Sequence, residues 1–117
     1  MTALRAAVVG LGGMGQWHAG TLAALPELFR VVAGVDVSGE ALAKFAAAHA
    51  GAATFTSYET MLRESRPEVV VIATGPVPRE RMTLAAVDAG ARGIYAEKPM
   101  AVGLGEARRM VEACKAK

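Results

Sequence analysis

Short apolar runs alternate along the chain with longer segments in which apolar residues recur every three or four positions. An apolar run without polar alternation is typical of a parallel strand that is covered on both faces of its sheet. The runs predict five strands, over Leu4 to Val9, Phe29 to Val35, Ala53 to Thr56, Glu68 to Ala73 and Gly93 to Ala96. The first and fourth runs are the most apolar and are expected at the centre of the sheet.

The segments between the runs predict helices. They run from Gly13 to about Leu25, from Ser38 to about Gly51, from Ser57 to about Arg63, from Arg79 to Ala89 and from about Leu104 to Lys115. Serine is a good N-cap, which fits the start of the second and third helices. The first helix has one stripe made of Met14, His18, Thr21 or Leu22, and Leu25, and His18 is expected on the side that packs towards the sheet. Tyr95, in the last strand, is expected in the core.

This strict alternation of strand and helix with short connections predicts a parallel sheet with right-handed crossovers. We expect an α/β fold of three layers, a doubly wound Rossmann sheet with strand order 3-2-1-4-5, in a single domain over residues 1–117. A ligand should then meet the loops after Val9, Val35, Ala73 and Ala96, because ligands of such sheets bind at the carboxyl ends of the strands where the order reverses.

Composition narrows the class of protein. Apolar residues make up 53% of the 117 and charged residues 21%, so the chain is globular rather than disordered. A net charge of +2 is too small to indicate nucleic acid as a partner. The basic residues near the end of the chain, Arg108, Arg109, Lys115 and Lys117, fit a solvated face better than a phosphate-binding tail.

Several site classes and locations are disfavoured in the same way. Cys114 is the only cysteine, so an intrachain disulfide is excluded, and no cluster has metal-ligand spacing. No apolar run approaches the ~20 residues that span a membrane. The first strand starts within a few residues of Met1, which leaves no room for a signal peptide. We therefore expect a soluble, cytoplasmic protein.

The first strand ends in a glycine cluster with G-x-G-x-x-G spacing, formed by Gly10, Gly12 and Gly15. In a dinucleotide site, the first glycine allows a sharp turn, the second lets the backbone approach a pyrophosphate, and the third lets helix and strand pack closely. The helix would begin with the amides of Gly13 and Met14, which would point at that pyrophosphate. The alternative is that the glycines only make a tight turn.

Asp36 supports the dinucleotide interpretation. It ends the second strand, 21 residues after Gly15, where a carboxylate accepts hydrogen bonds from the adenosine ribose hydroxyls of NAD and repels the 2′-phosphate of NADP. The residues that follow it, Val37 and Ser38, include no arginine. NAD is therefore the expected cofactor and NADP the less favoured one. Asp36 could instead help to start the second helix, although Ser38 is better placed for that.

Lys98 lies in Glu97-Lys98-Pro99 at the carboxyl end of the fifth strand, next to the expected nicotinamide. An ammonium group there could donate a hydrogen bond to a substrate hydroxyl or stabilise an alkoxide during hydride transfer. A lysine in a surface loop is more often only a solvated charge, and position alone leaves the two readings open.

Taken together, the segment 10–18, Asp36, Thr74 and Glu97-Lys98-Pro99 resemble the N-terminal domain of the Gfo/Idh/MocA oxidoreductases over essentially the whole chain. The Glu-Lys-Pro sequence is more specific to that family than the glycine turn. The resemblance implies NAD(P)-dependent oxidation or reduction of a CH–OH group in a sugar, a polyol or a related small molecule. It also implies that Thr74, Glu97 and Lys98 lie beside the cofactor, with Lys98 as the catalytic residue next to the substrate.

The resemblance also implies a second, sheet-rich domain that supplies most of the substrate pocket, and these 117 residues do not include it. We therefore expect cofactor binding with little or no turnover. Arg79 stands where family members often have histidine, which bears on the substrate class. The alternative function is a stand-alone NAD-binding or sensing module that associates with a partner chain or a second copy of itself. Binding of another nucleotide, such as S-adenosylmethionine, would share the glycine turn but give Glu97-Lys98-Pro99 no role.

Overall fold

A computed structural model of the chain describes residues 3–74 and 79–96. Within these ranges the elements are β1 Leu4–Val9, α1 Gly13–Ala23, β2 Phe29–Val35, α2 Gly39–Ala48, β3 Ala53–Phe55, α3 Tyr58–Ser65, β4 Val69–Ile72, α4 Arg79–Asp88 and β5 Gly93–Ala96. All five predicted strands and the first four predicted helices are present. The helix predicted over residues 104–115 lies outside the described residues.

The five strands form one sheet in the order β3-β2-β1-β4-β5, and every neighbouring pair is parallel. The predicted Rossmann-type order is confirmed. The central position of β1 and β4 follows from their sequences, because both are apolar on each face and can be buried on each face. The switch in strand order falls between β1 and β4, whose carboxyl ends pair Val9 with Ile72.

The two faces of the sheet carry separate cores. On one face, Val9, Val70 and Ile72 pack with the buried side chains of α3 and α4, among them Met61 and Ala86. On the other face, a smaller cluster joins the sheet to α1 and α2 through Val8, Leu11, Ala19, Phe45 and Val71. Successive residues of β1 thus serve opposite cores, as the alternation of side chains along a strand requires.

The first helix approaches the sheet on small residues rather than on the predicted stripe. Gly15 and Ala19 are its buried residues, whereas Met14 is 51% and Leu25 39% exposed. Leu22 packs against the smaller core as the stripe predicts. The prediction for Met14 was wrong because a helix that comes this close to a strand must present residues without bulky side chains, and Leu25 lies beyond the end of α1. His18 lies on the flank, half-buried, with its ring 5.0 Å from that of Tyr95.

Tyr95 also differs from expectation. Its side chain is 51% exposed, whereas the core was predicted. Tyr95 pairs with Val71 in register, and its neighbour Ile94 supplies the contact with the larger core on the opposite face. Among the described strands β5 is an edge strand, so the residue on the α1 side of it has a neighbour on one flank only.

The starts of α2 and α3 follow the serine signals. Ser38 Oγ accepts a hydrogen bond from the Ala41 amide at 3.2 Å, and Ser57 Oγ accepts one from the Thr60 amide at 3.2 Å, so both are N-caps. α3 runs two residues beyond the predicted end and stops at Arg66, whose φ of 44° is left-handed. None of these helices, nor any other among the described residues, is long and apolar enough to cross a bilayer.

Glu68 ties the amino ends of three strands together. Its Oε1 accepts hydrogen bonds from the Arg5 amide at 3.1 Å and from Arg5 Nη1 at 3.4 Å, and its Oε2 lies 3.5 Å from Arg92 Nη1. The hydrogen bond from the Arg5 amide, with both guanidinium groups nearby, lowers the pKa of the Glu68 carboxyl. This network lies at the edge of the sheet opposite to the switch point.

Candidate functional site

The glycine turn between β1 and α1 contains two positions where a side chain is sterically excluded. Gly10 has a φ of +87°, and a Cβ there would lie 2.9 Å from the Thr74 Cγ2 and amide nitrogen atoms. A Cβ at Gly15 would overlap the carbonyl oxygen of Gly10. The glycines at these two positions are therefore required by the fold itself, as a turn and as a close helix–strand contact.

Gly12 and Gly13 are different, because a Cβ at either would meet nothing within 4 Å. Gly12 is the N-cap of α1 and has no side chain with which to cap the amides of the first turn. The turn therefore presents the amino end of a helix to open space. Uncapped amides and the positive end of the helix dipole fit an anionic group such as a pyrophosphate.

Asp36 connects the end of β2 to this turn. Its Oδ2 accepts a hydrogen bond from the Leu11 amide at 2.7 Å, and its Oδ1 accepts one from the Ser38 amide at 2.9 Å. The carboxylate is thus held in one orientation beside the glycine turn, and each oxygen retains a further lone pair. The alternative reading of Asp36 as a helix start is not supported by the geometry, because Ser38 caps α2.

Gln16 braces the same turn from the other side. Its Nε2 donates to the carbonyl oxygens of Leu11 and Ala41, each at 3.2 Å. Sequence reasoning missed this residue, since a glutamine in a helix has no distinctive signal of its role. Beside it, a depression of about 490 Å³ is lined by Leu11, Gly12, Gly13, Gln16, Ser38, Glu40, Ala41 and Lys44.

A second cleft, of about 400 Å³, opens at the carboxyl edge between the ends of β1, β2 and β4. Residues from two strand ends, four loops and two helices line it: Val9, Gly10, Val35, Asp36, Val37, Thr56, Ser57, Tyr58, Glu59, Thr74, Arg81 and Met82. The predicted site residues Gly10, Asp36 and Thr74 thus meet at one cleft, at the predicted switch point.

The wall formed by α3 and α4 is closed by a buried tyrosine. The Tyr58 hydroxyl donates to the Met82 carbonyl oxygen at 2.6 Å. Burial, reinforced by the Glu59 carboxylate and opposed by Arg81, raises the pKa of Tyr58 far above its usual value, so the hydroxyl stays a donor. Above it, Arg81 Nη1 lies 2.9 Å from Glu59 Oε2. Neither Tyr58 nor Arg81 was anticipated from the sequence.

Met14 and Trp17 are exposed on α1, with exposed fractions of 51% and 61%. Met14 follows Gly13 in the first turn of α1, so its amide is available with the others while its side chain faces solvent. Glu97 and Lys98 lie outside the described residues. No group of three or more His, Cys, Asp or Glu residues that could hold a metal ion occurs in the described ranges.

A family model described as "Oxidoreductase family, NAD-binding Rossmann fold", that of Gfo/Idh/MocA, matches residues 4–117. The chain belongs to the Gfo/Idh/MocA oxidoreductase family. It is similar to inositol 2-dehydrogenase of Salmonella typhimurium, with 31% identity over 111 residues that make up 94% of this chain and 33% of the relative. It is also 32% identical to inositol 2-dehydrogenase/D-chiro-inositol 3-dehydrogenase of Shouchella clausii, over 94% of this chain and 32% of that one.

Among solved structures, the WlbA dehydrogenase from Bordetella pertussis, crystallised with NADH and UDP-GlcNAcA, matches with a TM-score of 0.91 and 30% identity. The match covers 99% of this chain and 34% of that one. The chain thus spans about a third of the length of the Gfo/Idh/MocA proteins to which it is similar. What it shares with them is the NAD-binding Rossmann domain, and the open glycine turn and oriented carboxylate fit that cofactor.

Proposed function

We propose that this chain is the cofactor-binding part of an oxidoreductase that moves hydride between a nicotinamide and a CH–OH carbon of a sugar, polyol or related small molecule. The observation that carries the proposal is the carboxylate of Asp36, fixed 2.7 Å from the Leu11 amide at the open glycine turn. A carboxylate that can bind a ribose, joined by a hydrogen bond to a turn that can bind a pyrophosphate, fits a dinucleotide better than most other ligands.

The pyrophosphate is assigned to the amino end of α1. The segment Gly10, Gly12, Gly13, Met14 and Gly15 contributes in two ways. Gly10 and Gly15 shape the turn, and the amides at Gly12, Gly13 and Met14 face the phosphate oxygens, since neither Gly12 nor Gly13 carries a Cβ that would block the approach. The helix dipole favours the bound negative charge.

Asp36 is assigned to the adenosine ribose. Both carboxylate oxygens are already oriented by backbone amides, so the group need not reorganise to accept hydrogen bonds from the two ribose hydroxyls. A 2′-phosphate at the same place would meet a negative charge. NAD is therefore proposed as the preferred cofactor over NADP.

The substrate end of the site is assigned to Thr74, Glu97 and Lys98. Thr74 follows β4 and lines the cleft next to Gly10. Lys98 follows the end of β5, whose last residue Ala96 pairs with Ile72 at the same carboxyl edge. The nicotinamide accepts or supplies the hydride when it is bound. Lys98 is proposed as the catalytic residue that hydrogen-bonds the reacting hydroxyl oxygen and stabilises negative charge on it.

The substrate class rests on the relatives, two of which are named for inositol and one of which was crystallised with a nucleotide sugar acid. Because the chain spans about a third of their length, we propose that residues outside these 117 complete the substrate pocket. The 117 residues alone should bind the cofactor and show little or no turnover of a sugar or polyol. Steady turnover by this chain would contradict that limit.

The decisive experiment is a calorimetric titration of the chain with NADH and then with NADPH. We expect saturable binding of NADH, and weaker binding of NADPH because of the Asp36 carboxylate. Binding of neither cofactor would overturn the proposal. Equal binding of both would retain the dinucleotide site and remove the assigned preference.

A second candidate function is an NAD-binding module that acts with a second copy of itself or with another chain. The observation that favours it is the edge position of β5 among the described strands, next to the exposed Tyr95. Sedimentation over a concentration series should then show self-association that weakens when Tyr95 is replaced by serine. A monomer at every concentration would count against the homo-oligomer.

A further inference from the structure

The cleft beside Asp36 has one apolar wall that solvent reaches freely. Val37 follows Asp36 directly, lines the cleft, and is 89% exposed, the largest exposed fraction among the large apolar side chains of the described residues. A branched apolar side chain in this position loses contact with water only when something flat or apolar lies against it. The position next to the ribose-binding carboxylate makes the base attached to that ribose the natural occupant.

The part of the lining that comes from α4 carries a planar cation. Arg81, in the first turn of α4, lines the same cleft, and its Nη1 lies 2.9 Å from Oε2 of Glu59 in the first turn of α3. The guanidinium group is planar and weakly hydrated, and it stacks readily on aromatic rings. An arginine and an apolar valine in the lining of one cleft are the kinds of side chain that pack on the two faces of a purine.

The ion pair between Glu59 and Arg81 has little value as a stabilising contact. The two side chains are 58% and 65% exposed, and such surface pairs add little to the free energy of unfolding. Two side chains held together at the mouth of the cleft do, however, restrict where the guanidinium plane lies. Beneath them the hydrogen bond from Tyr58 to the Met82 carbonyl oxygen, 2.6 Å long, holds α3 against α4, so the pair is carried on a fixed wall.

We infer that Arg81 stacks on the adenine ring of the bound dinucleotide across from Val37, and that Glu59 is a positioning residue that orients the guanidinium for this contact. The inference deepens the proposed function and rests on it, because adenine is the base of the proposed cofactor. It assigns a role to two residues that neither the glycine turn nor Asp36 requires.

The test compares the affinities of NADH, ADP-ribose and AMP for the wild type and for Arg81→Ala, Arg81→Lys and Glu59→Gln, measured by calorimetry. Arg81→Ala should lower the affinity for all three ligands by the same factor, about three- to tenfold, because all three contain adenine. Arg81→Lys should recover little of the loss, since lysine keeps the charge but lacks the planar face. Arg63→Ala, on α3 but outside the cleft, is the matched control and should leave the affinities unchanged.

Glu59→Gln should lower the affinity for the three ligands by a smaller factor than Arg81→Ala does. Combined with Arg81→Ala, it should lower the affinity no further. That non-additivity separates orientation of Arg81 from an independent structural role. Thermal unfolding of each variant checks that the fold is intact; Arg81→Met, which keeps much of the length, replaces the alanine variant if the latter unfolds.

The outcomes distinguish this inference from the proposed function. If the wild type binds NADH and Arg81→Ala binds each of the three ligands as tightly as the wild type does, the stacking role is wrong while the cofactor site stands. If Arg81→Lys behaves as the wild type, charge rather than the planar face matters and the inference also fails. If the wild type binds none of the three ligands, the proposed function fails and the inference fails with it.

Discussion

The carboxylate of Asp36 accepts a hydrogen bond from the amide of Leu11 at 2.7 Å, across 25 residues of sequence. Leu11 lies inside the glycine turn and its side chain is buried in the core under α1 and α2. The bond therefore joins the residue that would meet the ribose to the loop that would meet the pyrophosphate. A change at Asp36 should be felt by both halves of the site.

Replacement of Asp36 tests this coupling. Asp36→Ala should weaken NADH binding by about tenfold or more, because it removes the acceptor of the ribose hydroxyls and leaves the Leu11 amide without its partner. The affinity for NADPH should fall less, since a repulsion is removed as well, and the ratio of the two dissociation constants measured by calorimetry should approach one.

Asp36→Asn is the matched variant, because its amide oxygen can still accept from Leu11 while the negative charge and the hydrogen bond from the Ser38 amide are lost. It should lose less thermal stability than Asp36→Ala and lose most of the discrimination against NADPH. Asp88→Asn, at the end of α4 and outside both depressions at the glycine turn, serves as the control for charge alone. An unchanged NADH/NADPH ratio in Asp36→Asn would refute the assigned preference.

The glycines of the turn should separate into two classes. Gly15→Ala should lower the free energy of unfolding by at least about 1–3 kcal/mol, since its Cβ would overlap the Gly10 carbonyl oxygen. Gly12→Ala should leave the unfolding midpoint close to that of the wild type and reduce NADH binding, because its Cβ projects into open space where the phosphate is assigned.

Gly20→Ala is the control for these substitutions. It lies in the same helix, with nothing within 4 Å of its added Cβ, and should stabilise the fold by about 0.5–1 kcal/mol without altering NADH affinity. Thermal unfolding and NADH titration of the three variants give the comparison. A Gly12→Ala protein that is folded and binds NADH as tightly as the wild type would place the phosphate elsewhere.

Gly34, near the carboxyl end of β2, lies directly under the ring of Phe45. A Cβ at Gly34 would come within 2.7 Å of Phe45 Cε2, and Phe45 is fully buried. Gly34→Ala should therefore destabilise the fold by about 1–3 kcal/mol. Adding Phe45→Leu should recover part of that loss, as judged by urea denaturation, whereas additive losses would mean that the two side chains do not compete for the same space.

The amino-edge network predicts a pH dependence of stability. The pKa of the Glu68 carboxyl is lowered in the folded state relative to its ordinary value of 4.5, chiefly by the hydrogen bond from the Arg5 amide. The unfolded state therefore binds a proton more readily. The stabilisation is complete above about pH 4.5 and is lost as the pH falls through the lowered folded pKa.

Glu68→Gln should accordingly be less stable than the wild type at neutral pH, and the difference between the two unfolding midpoints should shrink as the solution is acidified below pH 4.5. Glu64→Gln, on the exposed side of α3, is the control and should follow the wild type. A difference that stays constant over the acid range would show that the ionised form of Glu68 is not what the network stabilises.

The sheet was predictable from the sequence because its order depends on local patterns. The apolar runs of β1 and β4 specify central strands, and the alternation of strand and helix specifies parallel pairing. The glycine turn and Asp36 were predictable for the same reason, since each occupies a fixed place relative to the end of a strand. All of these signals lie within a few residues of the feature that they predict.

The contacts that were missed depend on distances between elements. Met14 stands at helical spacing from His18, but Gly15 and Ala19 face the sheet because the helix approaches closely. Periodicity cannot distinguish these two faces, since small residues register weakly on any apolar scale. Arg81 is paired with a residue 22 positions away, and its place at the cleft follows from how α3 and α4 pack.

The two ends of the parallel strands have different tasks in this domain. Glu68, Arg5 and Arg92 fasten β1, β4 and β5 at one end, while Asp36 and the glycine turn occupy the other. Substitutions that retune cofactor choice are thus separated by the length of a strand from those that hold the strands in place. The loops at the carboxyl ends can therefore be exchanged by engineering, or diversified by selection, without changing the contacts that hold the amino ends of the strands together.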